Sequence, residues 1–109
     1  MTNIKTFINA KYLENAQTTQ ITATNLTILD KITITNISAN SVSFSANICD
    51  SSETASSSNL IIKNKFLGVN ETYDCFELVG QVLEVGSFLS MIASASNSLV
   101  IKIDGREIS

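Results

Sequence analysis

Apolar and polar residues alternate along most of this chain with a period of two. In SVSFSANICD, residues 41–50, Val42, Phe44, Ala46 and Ile48 share one side while Ser43, Ser45 and Asn47 share the other. That pattern predicts a half-buried strand. LTILDKITITNI, residues 26–37, predicts a longer one. Leu26, Ile28, Ile32 and Ile34 fall on one face, broken at Asp30, and Thr27, Leu29, Lys31, Thr33 and Thr35 fall on the other. With a polar break over 36–41, residues 32–48 read as a hairpin with apolar inner and hydroxyl outer faces. QITATN, residues 20–25, and NLIIKNKF, residues 59–66, add two further strands, and ETYDCFEL, residues 71–78, continues in extended form.

Near the C-terminus, SFLSMIASAS, residues 87–96, and LVIKI, residues 99–103, read as strands. Asp104-Gly105, a strong turn dipeptide, is expected to close the second, leaving REIS as a short tail. LVGQVLEVG, residues 78–86, has Leu78, Val82 and Val85 at helical spacing between Gly80 and Gly86. So short a piece predicts one turn that crosses between sheets. SSETASSSN, residues 51–59, carries nothing worth burying and reads as an exposed, mobile loop. In IKTFINAKYLENAQTT, residues 4–19, neither period wins; Ile4, Phe7, Tyr12 and Leu13 are the apolar anchors of an early strand or of an arm. Seven to nine strands at about ten-residue spacing predict an all-β, single-domain β-sandwich over residues 1–109, jelly-roll or immunoglobulin-like.

Composition agrees with that class. A chain of 109 residues is one domain and buries roughly 65% of its unfolded surface. Charged residues make up only 16%, below the usual quarter, and the polar remainder is mostly Ser, Thr and Asn, which suits strands and turns rather than helix surfaces. There is no proline, so sheet edges need charges, bulges or a partner subunit to guard them.

The charge pattern and the missing residue types exclude several functions. The net charge is −3, and the seven basic residues are scattered; Lys63 and Lys65, expected on one face of a strand, are the nearest approach to a basic footprint. Nucleic-acid binding needs a cluster of them, so no nucleic acid is expected as a partner. No apolar run approaches the ~20 residues of a membrane span, and the first residues lack the apolar core of a signal peptide, so no membrane partner and synthesis in a cytoplasm are expected.

The absence of histidine removes the commonest general base and most metal sites. Cys49 and Cys75 are too few for a zinc site; the sequence leaves a disulfide open but favours two free, partly buried thiols. Asp50, Glu53, Glu71, Asp74, Glu77 and Glu84 lie in loops without an aromatic platform or the spacing of a calcium loop. No catalytic residue, metal or cofactor is expected.

Three stretches taken together carry a resemblance: NAKYLENAQTTQITAT, LDKITITNISANSVSFSANI and ETYDCFELVGQVLEVGSFLSMIASASNSLVIKIDGREI. This layout, over nearly the whole chain, resembles small structural virion proteins of tailed bacteriophages and their prophages. The resemblance implies a decoration or cement protein on the outside of the head, located in the virion and assembled in the bacterial host cytoplasm. Its implied partners are the major capsid protein or other virion proteins and copies of itself, as a homo-oligomer. A tail, neck or fibre-attachment subunit is the alternative.

A neutral, hydroxyl-rich surface suits repeated contacts between identical copies, since like charges placed symmetrically repel in every copy. The expected interaction residues are Ile4, Phe7, Tyr12, Leu13, Thr33, Thr35, Ser43 and Ser45. Residues 1–13 form either an arm reaching onto the capsid lattice or the first strand of the sandwich.

Overall fold

A computed structural model describes residues 1–109. In chain order the strands are β1 (Thr2–Tyr12), β2 (Thr18–Thr22), β3 (Leu26–Asn36), β4 (Val42–Cys49), β5 (Leu60–Leu67), β6 (Thr72–Asp74), β7 (Val82–Leu83), β8 (Phe88–Ala93) and β9 (Leu99–Ile108). One turn of 3₁₀ helix, Ser57–Asn59, precedes β5. One sheet, here sheet A, has the order β1-β9-β3-β6, with β7 added on β3; sheet B has the order β2-β8-β4-β5. Every strand pair is antiparallel.

The order has a simple origin. With β7 set aside, β1–β9, β2–β8, β3–β6 and β4–β5 are successive rungs of one long antiparallel ribbon that doubles back between β4 and β5. Rolling that ribbon lays β9 on β3 and β8 on β4, which makes two sheets and the jelly-roll topology, not the immunoglobulin-like alternative. A single cluster of 20 buried apolar residues fills the space between the sheets, with Phe44, Leu29, Ile32, Ile34, Leu89, Met91 and Ile101 among its largest members.

Residues 32–48 are therefore not a hairpin. β3 lies in sheet A and β4 in sheet B, so the polar break at 37–41 carries the chain across the sandwich. Buried Asn36 stitches that crossing. Its side-chain amide donates to the carbonyls of Asn40 (2.8 Å) and Leu67 (3.0 Å), and its oxygen accepts from the Ser38 amide and hydroxyl. All its hydrogen-bonding capacity in that site is used, which is what allows an amide to be fully buried.

Two further expectations are corrected at one place in sheet A. Asp104-Gly105 is not a turn: β9 runs through it to Ile108. A Cβ on residue 105 would lie 2.4 Å from the Ile28 carbonyl oxygen and 2.9 Å from the Phe7 ring, so only glycine lets these neighbours close on β9. Both neighbouring strands bulge there, at Phe7 in β1 and at Asp30 in β3.

The bulge in β3 shifts the alternation by one residue. Thr27 and Leu29 turn inward before it and Ile32 and Ile34 after it, whereas Leu26 and Ile28 face outward, opposite to the uninterrupted pattern. In β5, Asn64 sits at φ 49° and breaks the pairing with β4, which separates Lys63 from Lys65 instead of aligning them.

The extended form expected over 71–78 ends at Asp74, and residues 75–81 make a compact turn, with Leu78 N–H donating to the Cys75 carbonyl and Val79 N–H to that of Phe76. The single crossing turn expected over 78–86 is interrupted by β7, which pairs with β3, and the segment after β7 crosses to sheet B. Residues 2–12 are a strand rather than a free arm, although Thr2 to Thr6 are exposed on both faces. Thus this end of β1 forms an exposed edge of sheet A, beside a β9 that is still covered by β3, in a molecule measuring 43 × 28 × 19 Å.

Gly105→Ala is expected to lower stability by about 2 kcal/mol, as overpacking against fixed backbone does. Urea unfolding followed by far-UV circular dichroism measures it; an unchanged midpoint would show that the neighbouring strands can retreat.

Candidate functional site

The eight expected interaction residues divide between three environments. Leu13 is completely buried, because its amide continues the ladder onto the Leu99 carbonyl and turns the side chain into the core. Phe7, the bulged residue of β1, packs partly buried against that core, with the Lys5 ammonium 5.3 Å from its ring centroid. Ser43 is also buried: it lies on the outer face of sheet B, but its carbonyl accepts from the Ser94 amide at 2.8 Å and its own amide donates to the Ser94 hydroxyl at 3.0 Å. Leu13 thus has no surface to offer a partner and Ser43 almost none, which corrects the expectation that they form an interaction surface.

Ile4, Tyr12, Thr33 and Thr35 share one surface, the outer face of sheet A. The register places them in rows across the strands: Tyr12–Val100–Thr35–Thr72 near one end, Lys102–Thr33–Asp74 beside it, and Ile4–Arg106–Ile28–Val82 towards the other. Thr35 and Thr72 hydroxyls are 3.2 Å apart. Arg106 forks onto both oxygens of Asp30 at 2.9–3.2 Å, so its charge is matched within the face. Ile4 is 88% exposed and Val82 50%, and Leu26, Ile28 and Ile108 complete an apolar end to this face.

Leu26, Ile28, Val82 and Ile108 are surface residues that the alternation pattern misplaced or passed over. One signal for β3 was present: Ile28 and Leu29 are adjacent, and the next apolar residue is Ile32. That spacing fits a strand with one extra residue better than an uninterrupted one.

The outer face of sheet B is a different kind of surface. A groove of about 250 Å³ opens there, lined by Gln17, Ser45, Asn47, Ser56, Lys63 and Asn64 among others. Its amides are already engaged. Asn47 donates to the Ser56 carbonyl (2.8 Å) and Asn59 Oδ1 (2.7 Å) and accepts from Gln17, which also donates to Ser90 Oγ at 2.8 Å. Ser45 Oγ accepts from the Asn64 amide at 2.9 Å and pins the β5 bulge.

Ser56 and Asn59 form a reciprocal cap on the 3₁₀ turn. The loop 51–59 is exposed, as its composition predicts, yet it is tied down through Asn47 rather than left loose. The network's chemistry is that of a clasp.

The reactive groups are likewise occupied. Glu53 Oε1 accepts from the Asp50 amide and Glu71 Oε1 from the Gly68 amide, each at 2.8 Å, so these acids cap turns. Glu77 accepts from the Tyr73 hydroxyl at 2.5 Å. Cys49 and Cys75 are free and buried. Burial first, then the Glu77 charge, pushes the Cys75 thiol up to about 12. Burial, then Glu53 and Asp50, raises Cys49. Thiols held protonated are poor nucleophiles and poor metal ligands, and no three His, Cys, Asp or Glu side chains converge as a metal site.

Two outcomes are expected. Asn47→Ala removes the clasp, costing about 2 kcal/mol and exposing residues 51–59 to limited proteolysis; an unchanged digestion pattern would place the restraint elsewhere. For Cys75, the raised folded pKa means that native protein holds the proton more tightly than unfolded protein. Its contribution is therefore intact below the thiol's ordinary 9.0 and is lost as pH climbs towards about 12. Urea midpoints across that range should fall less steeply in Cys75→Ala than in the parent.

Compared with known proteins, the chain matches no family model, no curated protein and no solved structure.

Proposed function

We propose that this chain is a non-catalytic structural protein that works through its sheet faces, and that it is a decoration protein on the outside of a bacteriophage head. In this reading it binds the major capsid protein and further copies of itself. The observation that carries the reading is the outer face of sheet A. Rows of Thr, Val and Ile side chains lie across four strands, and both basic residues in those rows are matched in place, Arg106 by Asp30 and Lys102 by Asp104 at 2.8 Å. Such a face can be repeated at every position of a symmetric lattice without accumulating like charge.

Placement on a phage particle comes from the resemblance over residues 9–24, 29–48 and 71–108. The jelly roll accords with it, being an architecture used in capsid subunits as well as in lectins and cupins; function still has to be argued from surfaces. The slab shape, 19 Å in its thinnest dimension, would let the protein lie flat on a shell with a broad face turned to it.

Image reconstruction of purified particles from the encoding phage or prophage tests this. Hundreds of copies across the outer shell are expected. A few copies at a single vertex would replace the decoration role with a tail or neck role, and absence from particles would overturn the virion reading.

A further inference from the structure

We infer that two copies of this chain join through the free edge of β1, antiparallel about a two-fold axis at Ile4, to make one continuous sheet. The inference does not rest on the virion reading; it comes from the backbone geometry of residues 2–6.

β1 is the outer strand of sheet A and pairs only with β9. Between Thr2 and Thr6 that pairing is regular, Thr2 with Ile108 through Thr6 with Asp104, and it ends at the Phe7 bulge. The Met1 amino group donates to the Ser109 carbonyl oxygen and the Ser109 amide donates back to Met1, so these two form a hydrogen-bonded pair. Hydrogen-bonded and non-hydrogen-bonded pairs alternate along an antiparallel ladder. Asn3 and Lys5 therefore point their amides and carbonyls at β9. Thr2, Ile4 and Thr6 point theirs at the open edge.

The other edges are guarded in the ways natural sheets use. β6 and β7 have three and two residues, β2 carries a bulge at Gln20, and β5 is broken at Asn64. Residues 2–6 have no such device. Their one charge, Lys5, is turned back onto Glu107 at 3.4 Å. Neither proline nor bulge interrupts five residues of exposed backbone.

This edge is complementary to itself in one register. With Ile4 opposite Ile4 of the second copy, those two residues exchange both backbone bonds, and each Thr2 does the same with Thr6 of the other copy. The β-branched side chains of Ile4, Thr2 and Thr6 meet on the outer face, where such cross-strand pairs are favourable. On the opposite face Asn3 meets Lys5, so no like charges are opposed. Centring the axis on Lys5 would set two ammonium groups against each other, and centring it on Asn3 would pair fewer residues. The two-fold at Ile4 also joins the rows Val82–Ile28–Arg106–Ile4 of both copies into one apolar-centred stripe. The contact is an isologous one, closed at two subunits, and the mode is strand addition.

Disulfide trapping of the full chain tests the register. A directly opposed hydrogen-bonded pair has Cα atoms about 5.5 Å apart, within the span a disulfide bridges. Ile4→Cys should cross-link to a dimer under mild oxidation, while Thr2→Cys, far from its own copy across the axis, should not. Cross-linking of Ile4→Cys no faster than that of Thr2→Cys would overturn the inference.

Sedimentation velocity supplies the second arm. The parent protein should show twice the 11.8 kDa chain mass at high protein concentration. Ile4→Pro should halve it while keeping the circular dichroism of the parent, because the Ile4 amide takes no part in the β1–β9 ladder. A parent that stays monomeric, or a dimer that survives in folded Ile4→Pro, would refute the proposed edge.

Discussion

The carbonyl of Ile28 occupies the space that a side chain on residue 105 would need, and much of sheet A depends on that close approach. It holds β3 against the middle of β9 at the point where β3 carries one residue too many. The extra residue, Asp30, is pushed outward, where the Arg106 guanidinium meets it. Either side of the bulge the inward set of β3 changes parity, so that Leu29 and Ile32, three apart, both reach the core. A strict two-residue alternation there would leave either Leu29 or the pair Ile32 and Ile34 in water. Since a fully buried aliphatic side chain is worth about 2 kcal/mol, the bulge and its glycine protect a large share of the stability of a domain this size.

Around that point the molecule is organised as a rolled ribbon, and its polar interior groups serve the roll. Asn36 closes the passage from sheet A to sheet B by satisfying carbonyls that the crossing would leave bare. Asn47 does a similar job on the outside of sheet B, holding the 51–59 loop through the Ser56–Asn59 cap. Both are amides, able to donate and accept from one short side chain, and both sit where the chain leaves regular pairing. At these two positions asparagine serves connections that need a fixed amide.

The same economy governs the surface. Carboxylates cap turns, thiols are buried and protonated, and the basic residues are spread out or paired, which leaves few groups free for chemistry. What remains available is sheet: a broad outer face with an apolar end, and one regular strand edge.

The sequence by itself determined the class. Alternation in residues 41–50, the apolar runs of 59–66 and 87–96 and the turn signals between them specify strands, because a period of two serves only an extended chain with one face buried. The absence of histidine and the low, scattered charge were equally legible, since they are properties of composition. Only the tertiary structure decided how β3 faces the core, why Asp104-Gly105 lies inside a strand, and that β3 and β4 belong to different sheets. Each of these depends on a neighbour distant along the chain: Ile28 against Gly105, Asp30 against Arg106, and Asn36 against Leu67. Local patterns report what a residue prefers, and a bulge or a sheet crossing is settled by what the opposing strand leaves room for. For the same reason Leu13, an anchor of either an arm or a first strand in one dimension, and Ser43, read there as an outer-face residue, are buried in three, while Ile4 stands at the open edge of a strand that only its pairing with β9 creates.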